Sequence, residues 1–546
     1  MRSWISRFLG TSVLFASAIW LAGAQRSSAL ETQTAATLLA KHRTFVGWTP
    51  GDGTLTSWKA TYERFARPKD GETPSPASEP SEIFVQTRRG VVFRDTATRG
   101  DDGAIQTDSG FTGRLFWSTN VDGFPVTEYD DSARSDMAYN AIMDETISSL
   151  PATSRGTAQI DGATYDVARV TVPNGFPVDL YVGSDGAYRR AIINPDDRWG
   201  RQTYEIEAYV DALPGKKIIG TFGSRSTHLV LKHVDANPTI ADADLVPPKP
   251  RAHWDFKSSD PIPVQVVSHP QVFGDSAGRA VLFRASIDGH EGTFLLDSGD
   301  GAGITLFNPY AADIGLKPIG SGGYVGVNGN SVGADYAKVS EVKIGGNVLH
   351  DAIVERSHGS SFSGVDGIMG FDILAQALVD VDVAGGSMTI LDPMKFGPTV
   401  EKGAVAFPVD LSDFTPAIHI TIGSNVDAKV TFDTGNDFSV ALSDELRSSG
   451  KITSLSSQIQ LANGQRFDEV VYVGGVDGTA TEPAPCIRIT HISVGPIPYE
   501  NSPVCFGSPK AFGANGGLIG FDFLRHFNWT FDYPEGKLIL TPNSLK

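Results

Sequence analysis

The chain is poor in the residue types that join a protein through sulfur or metal. Only two cysteines, Cys486 and Cys505, occur in 546 residues, which excludes a disulfide-dense scaffold and a cysteine-clustered zinc site. The 11 histidines are scattered and never take the His-Glu-x-x-His spacing of a helical metal site, so no metal or other cofactor is expected. Basic residues are also short. The 45 Lys and Arg stand against 63 Asp and Glu, a net charge of −18, and that sign argues against nucleic acid as a partner. Beyond the first two dozen residues, no segment has the roughly 18 consecutive apolar positions of a membrane-spanning helix.

Those first residues differ in character. Arg2 and Arg7 precede an apolar run from Phe8 to Ala24 that ends in Ala22-Gly23-Ala24, the layout of a secretory signal peptide over residues 1–29 with cleavage after Ala24 or Ala29. An uncleaved membrane anchor is the competing reading, for which the run is short and soft. No cysteine adjoins the cleavage points, so a lipid anchor is not expected there, and the location implied is periplasmic or secreted. In an oxidising compartment Cys486 and Cys505 read as a disulfide; two buried free thiols are the alternative.

What is abundant is turn-forming residues, 59 Gly and 32 Pro, which favour many short strands. A mainly β architecture follows. Residues 30–240 open with a predicted helix from Glu31 to Arg43, with Ala36, Leu39 and Ala40 as its apolar stripe, and a second helix is expected over Ser132 to Ser149. Between and after them, segments 81–95, 159–172, 176–193 and 201–212 carry apolar residues at period two. Helix, meander and the late strand Gly175 to Val182 resemble the periplasmic lipoprotein-carrier fold, an open half-barrel. That likeness implies lipid or lipoprotein contact, with a structural or substrate-presenting β domain as the alternative. Residues 241–260, with Pro247, Pro248 and Pro250, read as a linker.

An internal repeat then sets the fold. The segment 367–391 aligns without gaps on 517–541 at an offset of 517 − 367 = 150: Gly367, Gly370, Phe371, Asp372, Leu374, Asp382 and Gly386 recur as Gly517, Gly520, Phe521, Asp522, Leu524, Asp532 and Gly536. Upstream, 293–307 mirrors 429–442 at an offset of 433 − 297 = 136, and Tyr324-Val325-Gly326 has a counterpart in Tyr472-Val473-Gly474. The chain therefore carries two copies of one β unit, 261–393 and 403–546, joined by a link at 394–402. Each copy places Asp-Ser/Thr-Gly directly after an apolar strand, as Asp297-Ser298-Gly299 and Asp433-Thr434-Gly435. Each copy thus sets a carboxylate at the mouth of a buried strand, with a glycine next but one that permits a sharp turn there.

Here the sequence resembles the aspartic peptidases, and more closely the retropepsin-like branch found in exported bacterial proteins. The likeness spans both repeats and includes the segment Asn308 to Leu316 and the apolar-apolar-Gly motifs ending at Gly370 and Gly520. It implies two tandem acid-protease lobes forming a pseudo-dimer within a monomer, with Asp297 and Asp433 catalytic and about 3 Å apart. Ser298, Gly299, Thr434, Gly435, Gly370 and Gly520 would support the catalytic loops, and a protein or peptide would be the substrate. Pairing of each lobe with its twin in a homodimer is the alternative to the intramolecular pair. Gly-rich hairpins at 320–336 and 472–483 fall where flaps belong, with Tyr324 and Tyr472 as substrate contacts or as packing at the hairpin base.

The departures from the pattern are Asp300 and Asn436, where the family carries small residues. Asp300 is expected either to raise the proton affinity of the pair by like-charge repulsion or to bind substrate, and Asp437 falls where retropepsins contact substrate. Asp372 and Asp522 are expected to hydrogen-bond backbone at a helix start. A non-catalytic envelope protein that binds peptide or lipid on the same scaffold is the second functional reading.

Overall fold

The computed structural model describes residues 34–66, 81–100, 103–197, 200–224, 227–268, 279–325, 331–423, 426–436, 439–448, 452, 454–455, 459–460, 466–467, 469–471, 474–475, 478–479, 484–507 and 516–545. The expected signal peptide, Asp437, Tyr472 and positions 326–330 of the first candidate flap lie outside the described residues.

The fold is mainly β, and the segments read as strands are strands. In the amino-terminal unit, strand Ser57–Ala66 buries Trp58, Ala60 and Tyr62 at period two. It pairs antiparallel with Glu82–Arg89 on one side and Thr227–Ala236 on the other. The meander extends both ways from there into a 13-stranded sheet among the described residues. Its terminal strands, Pro125–Thr127 and Ala152–Ile160, do not pair with each other, so the sheet stays open.

Two helices pack on this sheet through one shared core. The first runs Ala35–Val46 and buries Ala35, Leu38, Leu39, His42 and Val46. This corrects the expected stripe, because Ala36 and Ala40 are exposed. Thr34 caps the helix through its hydroxyl, and the buried stripe is the one that collects Ala35, Leu38, Leu39, His42 and Val46 at i, i+3, i+4 spacing. The second helix, Asp130–Met143, is shorter than expected; Glu145 at φ 64° breaks it from the turn Thr146–Ser149. The unit also holds a cavity of about 290 Å³ lined by Phe84, Phe93, Tyr139, Tyr204, Phe222 and Leu229 beside Asp95 and Asn140.

Residues 241–260 are strapped to the body. His253–Asp255 adds as a strand to Asn347–Ser357, while Leu245 and Ala252 are buried, because these apolar residues give the segment something to bury.

The two repeats build the same local pattern. In the first, His290–Leu296 leads to Asp297, and its end runs parallel to Gly367–Met369, which lies antiparallel to Ile304–Phe307. In the second, Val426–Phe432 leads to Asp433, parallel to Gly517–Ile519, which lies antiparallel to Val440–Ser443. The repeats meet through Leu378–Asp382 and Phe527–Asp532, which pair antiparallel. In that pairing Asp380 faces Thr530, and 380 + 150 = 530, so the register centres on a residue and its own repeat mate. A pseudo-twofold axis passes through this point. One continuous core spans both repeats, with Phe432, Phe521, Trp529 and Phe531 in edge contacts around its second half.

Cys486 and Cys505 are a disulfide between directly paired strands, with Cα atoms 4.0 Å apart, which decides between the two sequence readings. The bridge closes a loop of separation 19. Replacing both cysteines by alanine is expected to cost the second repeat about 3 kcal/mol through the freed unfolded chain, measured by urea unfolding. A loss confined to a few tenths of a kcal/mol would contradict this.

Candidate functional site

Two loops meet at the pseudo-twofold axis. Each leaves its strand at a buried apolar residue, Leu296 or Phe432, and turns at once through Asp-Ser/Thr-Gly. Ser298 Oγ donates to the Phe432 carbonyl at 2.6 Å, and Thr434 Oγ1 donates to the Leu296 carbonyl at 2.8 Å. In return, the Ser298 N–H donates to Thr434 Oγ1 at 3.0 Å and the Thr434 N–H to Ser298 Oγ at 3.1 Å. Each hydroxyl thus receives from the opposite loop and gives to it. Both side chains are 1% exposed or less, so these four bonds are made without competition from water.

This exchange brings the two carboxylates together. A Cβ on Gly299 would lie 2.6 Å from Asp433 Cγ, and one on Gly435 would lie 2.6 Å from Asp297 Oδ1. Glycine is required at both positions because each aspartate sits against the opposite loop's glycine. Asp297 Oδ1 accepts the Gly299 N–H at 2.8 Å; Asp433 Oδ1 accepts the N–H groups of Gly435 at 2.9 Å and Asn436 at 3.0 Å. The two carboxyl groups hydrogen-bond each other while remaining partly exposed to solvent. Desolvation raises the proton affinity of both, and each carboxyl bears on the other through their contact.

The supporting glycines lie beneath. Gly370 N donates to the Gly303 carbonyl at 2.7 Å, and a Cβ there would overlap the backbone of Asp297 and Asp300. Gly520 N donates to Ser439 O at 2.9 Å in the equivalent place. Asp297 N and Asp433 N bond to Met369 O at 3.0 Å and Ile519 O at 2.9 Å. All the residues expected at the centre and described are therefore together there.

The other expected site residues divide. Asp300 turns inward: Oδ1 accepts the Ala302 N–H and Oδ2 the Thr305 hydroxyl, both at 3.1 Å. Desolvation, with Asp297 and Glu355 as charged neighbours, pushes its carboxyl well above the usual range. Asn436 is buried at 9% exposure, with its carbonyl accepting from Phe521 N at 2.7 Å. Tyr324, in hairpin strand Pro318–Val325, shares a hydrogen bond of 2.6 Å with the buried Ser357 hydroxyl. That hairpin pairs with Ser331–Ile344.

Asp372 and Asp522 do not bond backbone at their helix starts; among the described residues their carboxyls take side-chain partners. Asp372 instead accepts Asn120 Nδ2 at 2.5 Å and shares a hydrogen bond with Asp122, both from the amino-terminal unit, and both aspartates are fully buried. Asp522 takes Tyr499 Oη at 3.3 Å and Arg525 at 3.3 Å. The repeat mates differ because the amino-terminal unit reaches this position in the first repeat. Local sequence gives no signal for Asn120 or Asp122, which lie about 250 positions before their partner.

Compared with known proteins, the chain matches no family model and no curated protein, so its chemistry is read from this geometry.

Thr434→Ala should leave the Ser298 N–H and the Leu296 carbonyl buried without partners, at about 1–3 kcal/mol, whereas Thr434→Ser keeps both bonds. Equal thermal unfolding of the two variants would refute the exchange as a stabilising element. Burial raises Asp122 to about 6 and Asp372 well above the usual range. Because these folded values exceed the unfolded ones, their contribution is complete below about pH 4 and fades as pH climbs through about 6. Asp372→Asn should shrink the stability difference between pH 4 and pH 7 in urea titrations; an unchanged difference would contradict the shared proton.

Proposed function

We propose that this chain is an aspartic endopeptidase with Asp297 and Asp433 as its catalytic dyad. The observation that carries the reading is the exchange through Ser298 and Thr434, which sets two carboxyl groups from two repeats against each other.

Such a pair handles both protons of peptide hydrolysis. The ionised carboxylate accepts a proton from a bound water as its oxygen attacks the carbonyl carbon, and the protonated carboxyl donates to the carbonyl oxygen. The tetrahedral diol then collapses: the C–N bond breaks, the amine leaves with a proton returned from the dyad, and the carboxylic product forms. No cofactor enters the balance. Backbone N–H groups from Gly299, Gly435 and Asn436 hold one oxygen of each carboxyl group and so orient the pair. The family resemblance, with its retropepsin-like lobes, supports the same reading and makes a polypeptide the substrate. The hairpin carrying Tyr324 is the first flap. Export to the periplasm or beyond fits the Cys486–Cys505 bridge.

Burial raises the proton affinity of both aspartates, so the singly protonated pair persists to higher pH than isolated carboxyls would allow. Mature protein incubated with an unfolded protein from pH 3 to 7 should cleave it, and Asp297→Asn or Asp433→Asn should each reduce the rate by roughly a thousandfold. Pepstatin should compete with substrate. Absence of cleavage across that range, with pepstatin unbound, overturns the proposal.

A further inference from the structure

The amino-terminal unit touches the first repeat at three places near the catalytic loop. Gly100, at φ 78°, lies with its Cα against Gly320 of the flap strand; a Cβ on Gly320 would come within 2.8 Å of it. Ile105 and Val121 join Tyr336 and Ile353 in a buried apolar cluster drawn from both units. Asp122 Oδ1 accepts the Ile353 N–H at 2.8 Å beside the Asp372 contact already described.

These contacts fix Arg99. Its Nη2 donates to Tyr336 Oη at 2.9 Å, with the guanidinium 5.1 Å from the centre of that ring. Tyr336 faces Glu355 across the strand pair. Glu355 is 4% exposed, lies beside Thr305 in the next strand, and Thr305 holds Asp300. Asp300 in turn donates its backbone N–H to the Asp297 carbonyl at 3.2 Å. The first repeat therefore sets Asp300, and the buried Glu355 behind it, next to the dyad, and among the described residues Arg99 is the cation acting on Glu355.

We propose that the amino-terminal unit supplies Arg99 as a positioning residue of the catalytic centre, acting through Tyr336 and Glu355 on Asp300 and so on the Asp297–Asp433 pair. The inference rests on the peptidase reading. Without a nearby positive charge, these two extra acids would strip protonation control from the dyad by repulsion. Arg99 offsets that repulsion, and Tyr336, facing Glu355, relays it. The charged or titratable groups facing this chain are Asp297, Asp300 and Asp372 around the loop, and Tyr336 and Arg99 around Glu355. The second repeat keeps Asn436 where the first has Asp300 and so has no such acid to compensate.

The test uses the full chain with Arg99→Met, Arg99→Lys and Tyr336→Phe, reading kcat/KM against pH on an unfolded protein and thermal unfolding at pH 4 and 7. Loss of the cation raises the proton affinity of every nearby carboxyl, so Arg99→Met should move the basic limb of the profile upward by roughly half a pH unit or more. It should also lose more stability at pH 7 than at pH 4, because Glu355 ionises without compensation at the higher pH. Arg99→Lys should return both readouts toward the unsubstituted chain, and Tyr336→Phe should shift the limb in the same direction as Arg99→Met. An active unsubstituted chain with an unchanged profile in both Arg99→Met and Tyr336→Phe overturns the positioning role alone. An inactive unsubstituted chain overturns the peptidase reading, and the positioning role with it.

Discussion

The structure depends on one reciprocal exchange: two hydroxyls, Ser298 and Thr434, each giving a hydrogen bond to the opposite strand's last carbonyl and receiving one from the opposite loop's N–H. Buried polar groups need partners, and here neither repeat can satisfy its own. The carbonyls of Leu296 and Phe432 would be orphaned if the repeats parted. Everything else at the centre follows from that closure. The glycines at 299 and 435 are the residues small enough to admit the opposite carboxyl, and the supporting glycine at 370 is the residue that lets the loop rest on the strand beneath it.

A second closure lies behind the first. The pairing of Leu378–Asp382 with Phe527–Asp532 ties the far ends of the repeats together, so the exchange operates between two bodies already held in register. Symmetry is then broken from outside. Asn120, Asp122 and Arg99 engage the first repeat, while Tyr129 donates its N–H to Ser412 at 3.0 Å in the second. The three units border a groove of about 730 Å³ between Val126, Phe371, Val409 and Tyr533.

Much of this was legible in the sequence because it is local or repeated. Asp-Ser/Thr-Gly after an apolar strand and the glycines at 370 and 520 are short patterns that gain meaning from occurring twice in one order, and the strands of residues 81–95 and 176–193 follow from alternation alone. What could not be read is what distant segments do to one residue. Asp372 looks like its mate Asp522, yet one is a buried acid shared with Asp122 and the other an exposed partner of Arg525; burial by another domain leaves no mark on the tripeptide around it. The misplaced stripe of the first helix has a simpler cause, since Leu38, Leu39 and Val46 together outweigh Leu39 with the small Ala36 and Ala40 and so choose the buried face.

The unequal seating of the amino-terminal unit on the two repeats has a geometric consequence. A perfect twofold cleft presents identical walls to both ends of whatever lies across it, and so cannot tell head from tail. A polypeptide, however, is directional: its amides all point one way along the chain. Fusing the halves and placing Asp300 and Glu355 in only one of them gives the paired loops a left and a right, and under the proposed peptidase reading that asymmetry would favour one orientation of a strand laid across them.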